Sequence, residues 1–119
     1  MTKVMIVDDA AFMRASIRRM IESQDYEVVA EAADGIEAIE KYKKFKPDLI
    51  TMDITMPNMT GIEALKGMRG LDKEVRVVMV SAMGQEKLIK EAVINGASSF
   101  IVKPFQSDKL LQVLNGITK

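Results

Sequence analysis

The sequence predicts an α/β fold: a five-stranded parallel sheet, doubly wound as (βα)5, in one domain over residues 1–119. Three observations carry that expectation. Apolar runs and segments of helical period alternate five times, in units of roughly 20–25 residues. The apolar runs are continuous, as in strands covered on both faces. No linker or low-complexity stretch interrupts the series. Such alternation implies helices on both faces of a parallel sheet, joined by right-handed crossovers.

Val4-Met5-Ile6-Val7 is the first strand and ends at Asp8-Asp9. Met13, Ile17, Met20 and Ile21 recur at helical spacing, with Arg14, Arg18, Arg19 and Glu22 on the other side. Val28-Val29-Ala30 reads as a short second strand, closed by the turn signal Asp34-Gly35. Ile36, Ala38, Ile39, Tyr42 and Phe45 mark a second helix, which Pro47 stops. Leu49 to Met52 is the third strand, and Asp53 stands where it gives way to a loop holding Pro57 and Gly61. Ile62, Leu65 and Met68 outline a third helix, weakened by Gly67 and Gly70. Val75 to Val80 is the fourth strand, ending at Ser81. Leu88, Ala92 and Val93 line a fourth helix that stops at Asn95-Gly96. Phe100-Ile101-Val102 is the fifth strand, ending at Lys103-Pro104. Ser107 is placed to cap a last helix carrying Leu110, Leu111, Leu114 and Ile117.

Composition narrows the chemistry. Basic and acidic residues number 17 each, so the chain carries no net charge and offers no electrostatic footprint for nucleic acid. It has no cysteine, which removes disulfides, thiol nucleophiles and thiolate metal sites. It has no histidine either, which excludes a Ser-His-Asp triad, a histidine metal site and a histidine base. No apolar run exceeds four residues, and Met1-Thr2-Lys3 leads straight into a strand. The expectation is a cytoplasmic monomer without membrane span or signal peptide.

In a doubly wound sheet, ligands sit outside the carboxyl ends of the strands. Here those ends carry Asp8 and Asp9, Asp53, Ser81 and Lys103, and only the second strand lacks a polar anchor. Three carboxylates brought together repel one another by roughly 4 kcal/mol per pair at an effective dielectric near 20. Oxygen ligands without His or Cys favour a hard divalent cation, Mg2+ or Mn2+. Lys103 adds a point charge suited to a phosphoryl oxygen, and Ser81 adds a hydroxyl. Asp53 can then act as a nucleophile that forms an acyl phosphate. Each residue taken singly has a plainer reading. Asp8 or Asp9 can cap the first helix, Ser81 the fourth, Asp53 can open a turn, and Lys103 can be a solvated charge. The joint placement favours the site. Of the ten methionines, mostly core filler, Met52, Met56, Met59 and Met83 fall around it.

Val7-Asp8-Asp9-Ala10, Met52-Asp53-Ile54-Thr55-Met56-Pro57, Ser81-Ala82 and Lys103-Pro104-Phe105 resemble the receiver domain of bacterial two-component response regulators. The resemblance covers the whole chain, and the runs Val7–Arg14 and Ser81–Gln85 are most similar to the family's single-domain chemotaxis members. It implies the flavodoxin-like strand order 2-1-3-4-5. It implies that Asp53 accepts a phosphoryl group from a partner histidine kinase, with slow autodephosphorylation afterwards. Asp8, Asp9, Asp53 and the backbone carbonyl of Thr55 would hold Mg2+. Ser81 would be the switch hydroxyl, Lys103 the phosphate-pairing lysine and Phe100 the switch aromatic, with Lys103–Pro104 in cis. The readout face would be the fourth helix, fifth strand and fifth helix around Phe100 and Phe105. With no output domain, output would be protein binding, to the flagellar motor switch, with a separate phosphatase as a further partner.

Several positions depart from the common pattern. Many members have Thr where this chain has Ser81, and Tyr where it has Phe100. Within the family, a phosphorelay intermediate or a regulator with a non-motor partner is the alternative. Outside it, a haloacid dehalogenase-type phosphatase needs a second Asp where Thr55 stands. A flavodoxin-like FMN binder needs a hydroxyl-rich loop where Asp8-Asp9-Ala10-Ala11 would repel phosphate. A metal-binding interaction domain without phosphoryl transfer is the remaining reading.

Overall fold

The computed structural model describes residues 1–22 and 24–118. Its elements run β1 (Thr2–Val7), α1 (Ala11–Ile21), β2 (Tyr26–Ala32), α2 (Gly35–Phe45), β3 (Leu49–Asp53), α3 (Gly61–Leu71), β4 (Val77–Ser81), α4 (Glu86–Ile94), β5 (Ser99–Val102) and α5 (Ser107–Thr118). All five strands are parallel, in the order β2-β1-β3-β4-β5. The predicted architecture and strand order are both present.

The continuous apolar runs are explained by two core layers. Val4, Ile6, Leu49, Val78, Val80 and Ile101 face α1 and α5, where they meet Ile17, Ile21, Leu110 and Leu114. Met5, Val7, Ile50, Met52, Val77 and Met79 point the other way, to Ala38 and Tyr42 of α2, Leu65 and Met68 of α3 and Ala92 of α4. Successive strand residues alternate between the two layers, so β3, β4 and Val4–Val7 of β1 are buried throughout, while the edge strands β2 and β5 keep exposed positions. Among the described residues, no helix is long and apolar enough to cross a membrane.

β2 is longer than the sequence reading of Val28–Ala30, and its pattern is hidden by a bulge. Val4 pairs with Val28 but Met5 pairs with Ala30, which leaves Val29 as the extra residue. Before the bulge, Tyr26 and Val28 face the α1 side; after it, Ala30 and Ala32 face the α2 side. Glu31 is thereby turned toward α1, and a strand at the sheet edge tolerates it.

Helix ends follow recognisable chemistry. Asp34 caps α2 through Glu37 N–H, and Thr60 with Glu63 forms a capping box on α3. α2 ends at Lys46, in left-handed backbone (φ 45°), just before Pro47. Ser107 proves to be the first helical residue of α5, with Leu110 N–H donating to the Gln106 carbonyl. Two helical faces also differ from expectation. Ile36 and Phe45 of α2 and Val93 of α4 are exposed, because each lies at the flank of an apolar stripe.

Candidate functional site

Strand register assembles the site. Val7 pairs with Met52, so the residues that follow, Asp8 and Asp53, emerge side by side from β1 and β3. Asp53 pairs with Val80, and Ser81 pairs with Val102, one residue before Lys103. Carboxylate oxygens of Asp8, Asp9 and Asp53 lie within 4.8 Å of one another. Lys103 Nζ is 3.2 Å from Asp8 Oδ2 and 3.5 Å from Asp53 Oδ1. Asp8 and Asp53 are buried, Asp9 is exposed, and the Lys103–Pro104 peptide is cis. The structure brings the three carboxylates and Lys103, from the ends of β1, β3 and β5, together on one rim.

The electrostatics are unbalanced. Three carboxylates face one ammonium. Burial, and then the charge of Asp8, push the Asp53 carboxyl up to about 6 against the pull of Lys103. An all-oxygen donor set with surplus negative charge fits a hard cation such as Mg2+.

Every polar group of Asp8 is engaged. Its N–H donates to the Ala32 carbonyl, Oδ1 accepts from Ala10 N–H, and its carbonyl accepts from Arg14 Nη1 at 2.6 Å. The carboxylate therefore braces its own loop, and α1 starts at Ala11 behind an N-cap residue, Ala10, that gives no side-chain cap. Arg14 Nε in turn meets Glu31 Oε1 at 3.1 Å, while Arg18 takes Glu31 Oε2 at 2.6 Å. Arg14 was expected only on the polar side of α1; helical period gives the side of a residue but not that its guanidinium reaches back to the strand end. Glu31, the acidic residue next to the carboxyl end of edge strand β2, is the signal that points to it.

Ser81 lies deeper than a rim residue. It is fully buried, and among the described residues its hydroxyl has no hydrogen-bond partner. It is also not the cap of α4: Gln85 precedes that helix, and its side chain bonds Ala82 N–H and Thr55 Oγ1 instead. Thr55 lies two residues beyond Asp53 in the loop after β3. Phe100 is 44 % exposed and stands between two surface hollows, one shared with Met83 and Ile89, the other with Phe105 and Val113. Phe105 is half-buried against the α1–α5 layer. Met52 and Met56 are core, Met59 packs against it, and Met83 is exposed.

The family described as response regulator receiver domain matches residues 4–115. The chain is 52 % identical over 113 residues to "Chemotaxis protein CheY" of Bacillus subtilis, covering 95 % of this chain and 94 % of that protein. It is 50 % identical to the protein of the same name in Listeria monocytogenes, over the full length of both. Among solved structures, CheY in the "CheX-CheY-BeF3-Mg+2 complex from Borrelia burgdorferi" is similar with a TM-score of 0.94 and 41 % identity, covering 99 % of this chain and 90 % of that one.

Proposed function

The chain belongs to the response regulator receiver family of two-component signalling, in its CheY-type chemotaxis branch, and from that premise we propose that Asp53 is its phosphoacceptor in a phosphorylation-activated switch. The observation that carries this is the placement of Asp53: a buried strand-end carboxylate with Lys103 at 3.5 Å and two further carboxylates within metal-sharing distance.

Asp53 Oδ attacks the phosphorus of a phosphohistidine on the partner kinase. The P–N bond breaks as the Asp53 O–P bond forms, and the imidazole, already protonated on its other ring nitrogen, leaves with the bonding pair as neutral histidine. Asp8, Asp9 and Asp53, with the Thr55 carbonyl, would hold Mg2+, which when bound neutralises the carboxylates and the charge developing on the phosphoryl oxygens. Lys103 supplies the fixed cation beside the reacting carboxylate. The unpartnered Ser81 hydroxyl is the donor waiting for a phosphoryl oxygen. An added charge of about −1.5 to −2 at the rim shifts the equilibrium toward any arrangement in which Ser81 and Lys103 bind it better.

The loop after β4 leads into α4 and borders Phe100, so that shift reaches the face of α4, β5 and α5. Exposed Met83, Val93, Ile94 and Phe100 give it apolar area for a protein partner. Likeness to chemotaxis proteins supports the cytoplasmic reading, with the flagellar motor switch as target and a separate phosphatase resetting the state.

The test is intact-protein mass after incubation with Mg2+ and acetyl phosphate. One phosphoryl adduct in wild type and none in Asp53→Asn is expected. An adduct on the variant, or none on wild type with metal bound, would remove Asp53 as acceptor.

A further inference from the structure

The β4–α4 loop is tied down by a side chain that phosphoryl transfer does not use. Gln85 precedes α4 at the position where a side chain usually caps the helix, yet it makes no cap bond. Its Oε1 accepts from Ala82 N–H at 2.7 Å, and its Nε2 donates to Thr55 Oγ1 at 3.0 Å. A backbone amide can only donate, so Oε1 must face Ala82 and Nε2 must face Thr55. One carboxamide thus straps the residue after Ser81 to a residue two past Asp53. Among the described residues, no other side chain ties the segment Ala82–Gln85 to another element by a hydrogen bond.

Ser81 supplies the second observation. Its hydroxyl is fully buried and unpartnered, which is unfavourable. Ser81 itself is fixed as the last residue of β4, its carbonyl accepting from Lys103 N–H at 2.7 Å, and the strap holds the loop that starts at the next residue in the arrangement that leaves this hydroxyl buried.

We propose that Gln85 is a positioning residue that keeps the β4–α4 loop in its phosphate-free arrangement, so that phosphoryl binding at Asp53 must open the bridge from Ala82 to Thr55. The inference rests on the reading of Asp53 and Ser81 given above. Moving Ser81 toward a phosphoryl oxygen moves Ala82, the next residue, and the Gln85 carboxamide cannot then keep both partners. The strap opposes phosphoryl binding, and its two ends act as one unit, since losing either bond frees the loop.

Fluoroberyllate, a phosphoryl mimic made from beryllium and fluoride, tests this when titrated at constant Mg2+ and followed by fluorine NMR. Gln85→Ala is expected to bind it about three- to tenfold more tightly than wild type. Thr55→Ala should gain a similar factor, and the double variant no more than either alone. A merely structural Gln85 would weaken binding or leave it unchanged; either result overturns the strap, as does full additivity of the two gains. Wild type that binds no fluoroberyllate at all would instead overturn the reading of Asp53 itself, and the strap with it.

Discussion

Asp53 holds its proton more tightly in the folded chain than in the unfolded one, because burial and the Asp8 charge raise its pKa from 3.8 to about 6. The sign follows from linkage. Its contribution to stability is fully present below pH 3.8 and is lost as pH rises through about 6. Without metal, ionised Asp53 costs the fold up to about 3 kcal/mol at neutral pH. Asp53→Asn should therefore be more stable than wild type at pH 7 in chelator, by roughly 1–3 kcal/mol, and the gap should close by pH 4. Paired urea melts at the two pH values measure it; a pH-independent gap would contradict it. Thr51 makes a second case, since its buried hydroxyl has no partner among the described residues. Thr51→Val should gain about 1 kcal/mol, read from the same melts. At this scale the acidic trio and Lys103 were legible in the sequence because strand ends are chemical positions in a doubly wound sheet. The depth of Ser81 was not, since a strand's last residue can face rim or core. Nor were Arg14 and Gln85, whose long side chains act on backbone groups that sequence patterning does not locate.

Elements hold these residues through contacts that leave little freedom. α3 begins with Gly61 pressed against the end of β3: an added Cβ would sit 2.0 Å from the Asp53 carbonyl oxygen and 3.0 Å from Met52 Cγ. Neither backbone nor a core methionine can yield that distance, so Gly61→Ala should cost on the order of 2–4 kcal/mol and slow phosphorylation by acetyl phosphate severalfold by displacing Asp53. Thermal melts and adduct mass report the two effects; a variant as stable as wild type would contradict the packing argument. On the other side, the bulge at Val29 turns Glu31 toward α1, where it holds the guanidinium that bonds the Asp8 carbonyl. Glu31→Gln should weaken Mg2+ binding about threefold in calorimetry, by loosening the Asp8–Asp9 loop, while Arg19→Gln on the same helix should not. The helices and their order were readable from apolar period. The full length of β2 was not, because a bulge breaks the alternation that marks an edge strand.

The whole molecule brings together groups that the chain keeps far apart. Asp8 and Asp9 lie more than forty residues before Asp53, and only the completed β1–β3 pairing puts their oxygens within 4.8 Å. The unfolded chain scatters them, so a divalent cation that needs all three binds the native state alone. By mass action, Mg2+ at a hundred times its dissociation constant should then add about 2.7 kcal/mol of stability. For a domain of this size that is a rise in Tm on the order of 10 °C. The repulsion that raises the Asp53 pKa works in the same direction, since the cation relieves it only in the folded state. Asp53→Asn begins with less repulsion and offers one ligand charge fewer, so its Tm should start higher and climb less with Mg2+. Crossing of the two Tm curves along a Mg2+ titration is the expected signature, because wild type gains what the variant has already been spared. Parallel curves would mean that Asp53 is not part of the cation site. A flat wild-type curve at millimolar Mg2+ would mean that the acidic trio binds no metal, leaving Lys103 as its counter-charge among the described residues.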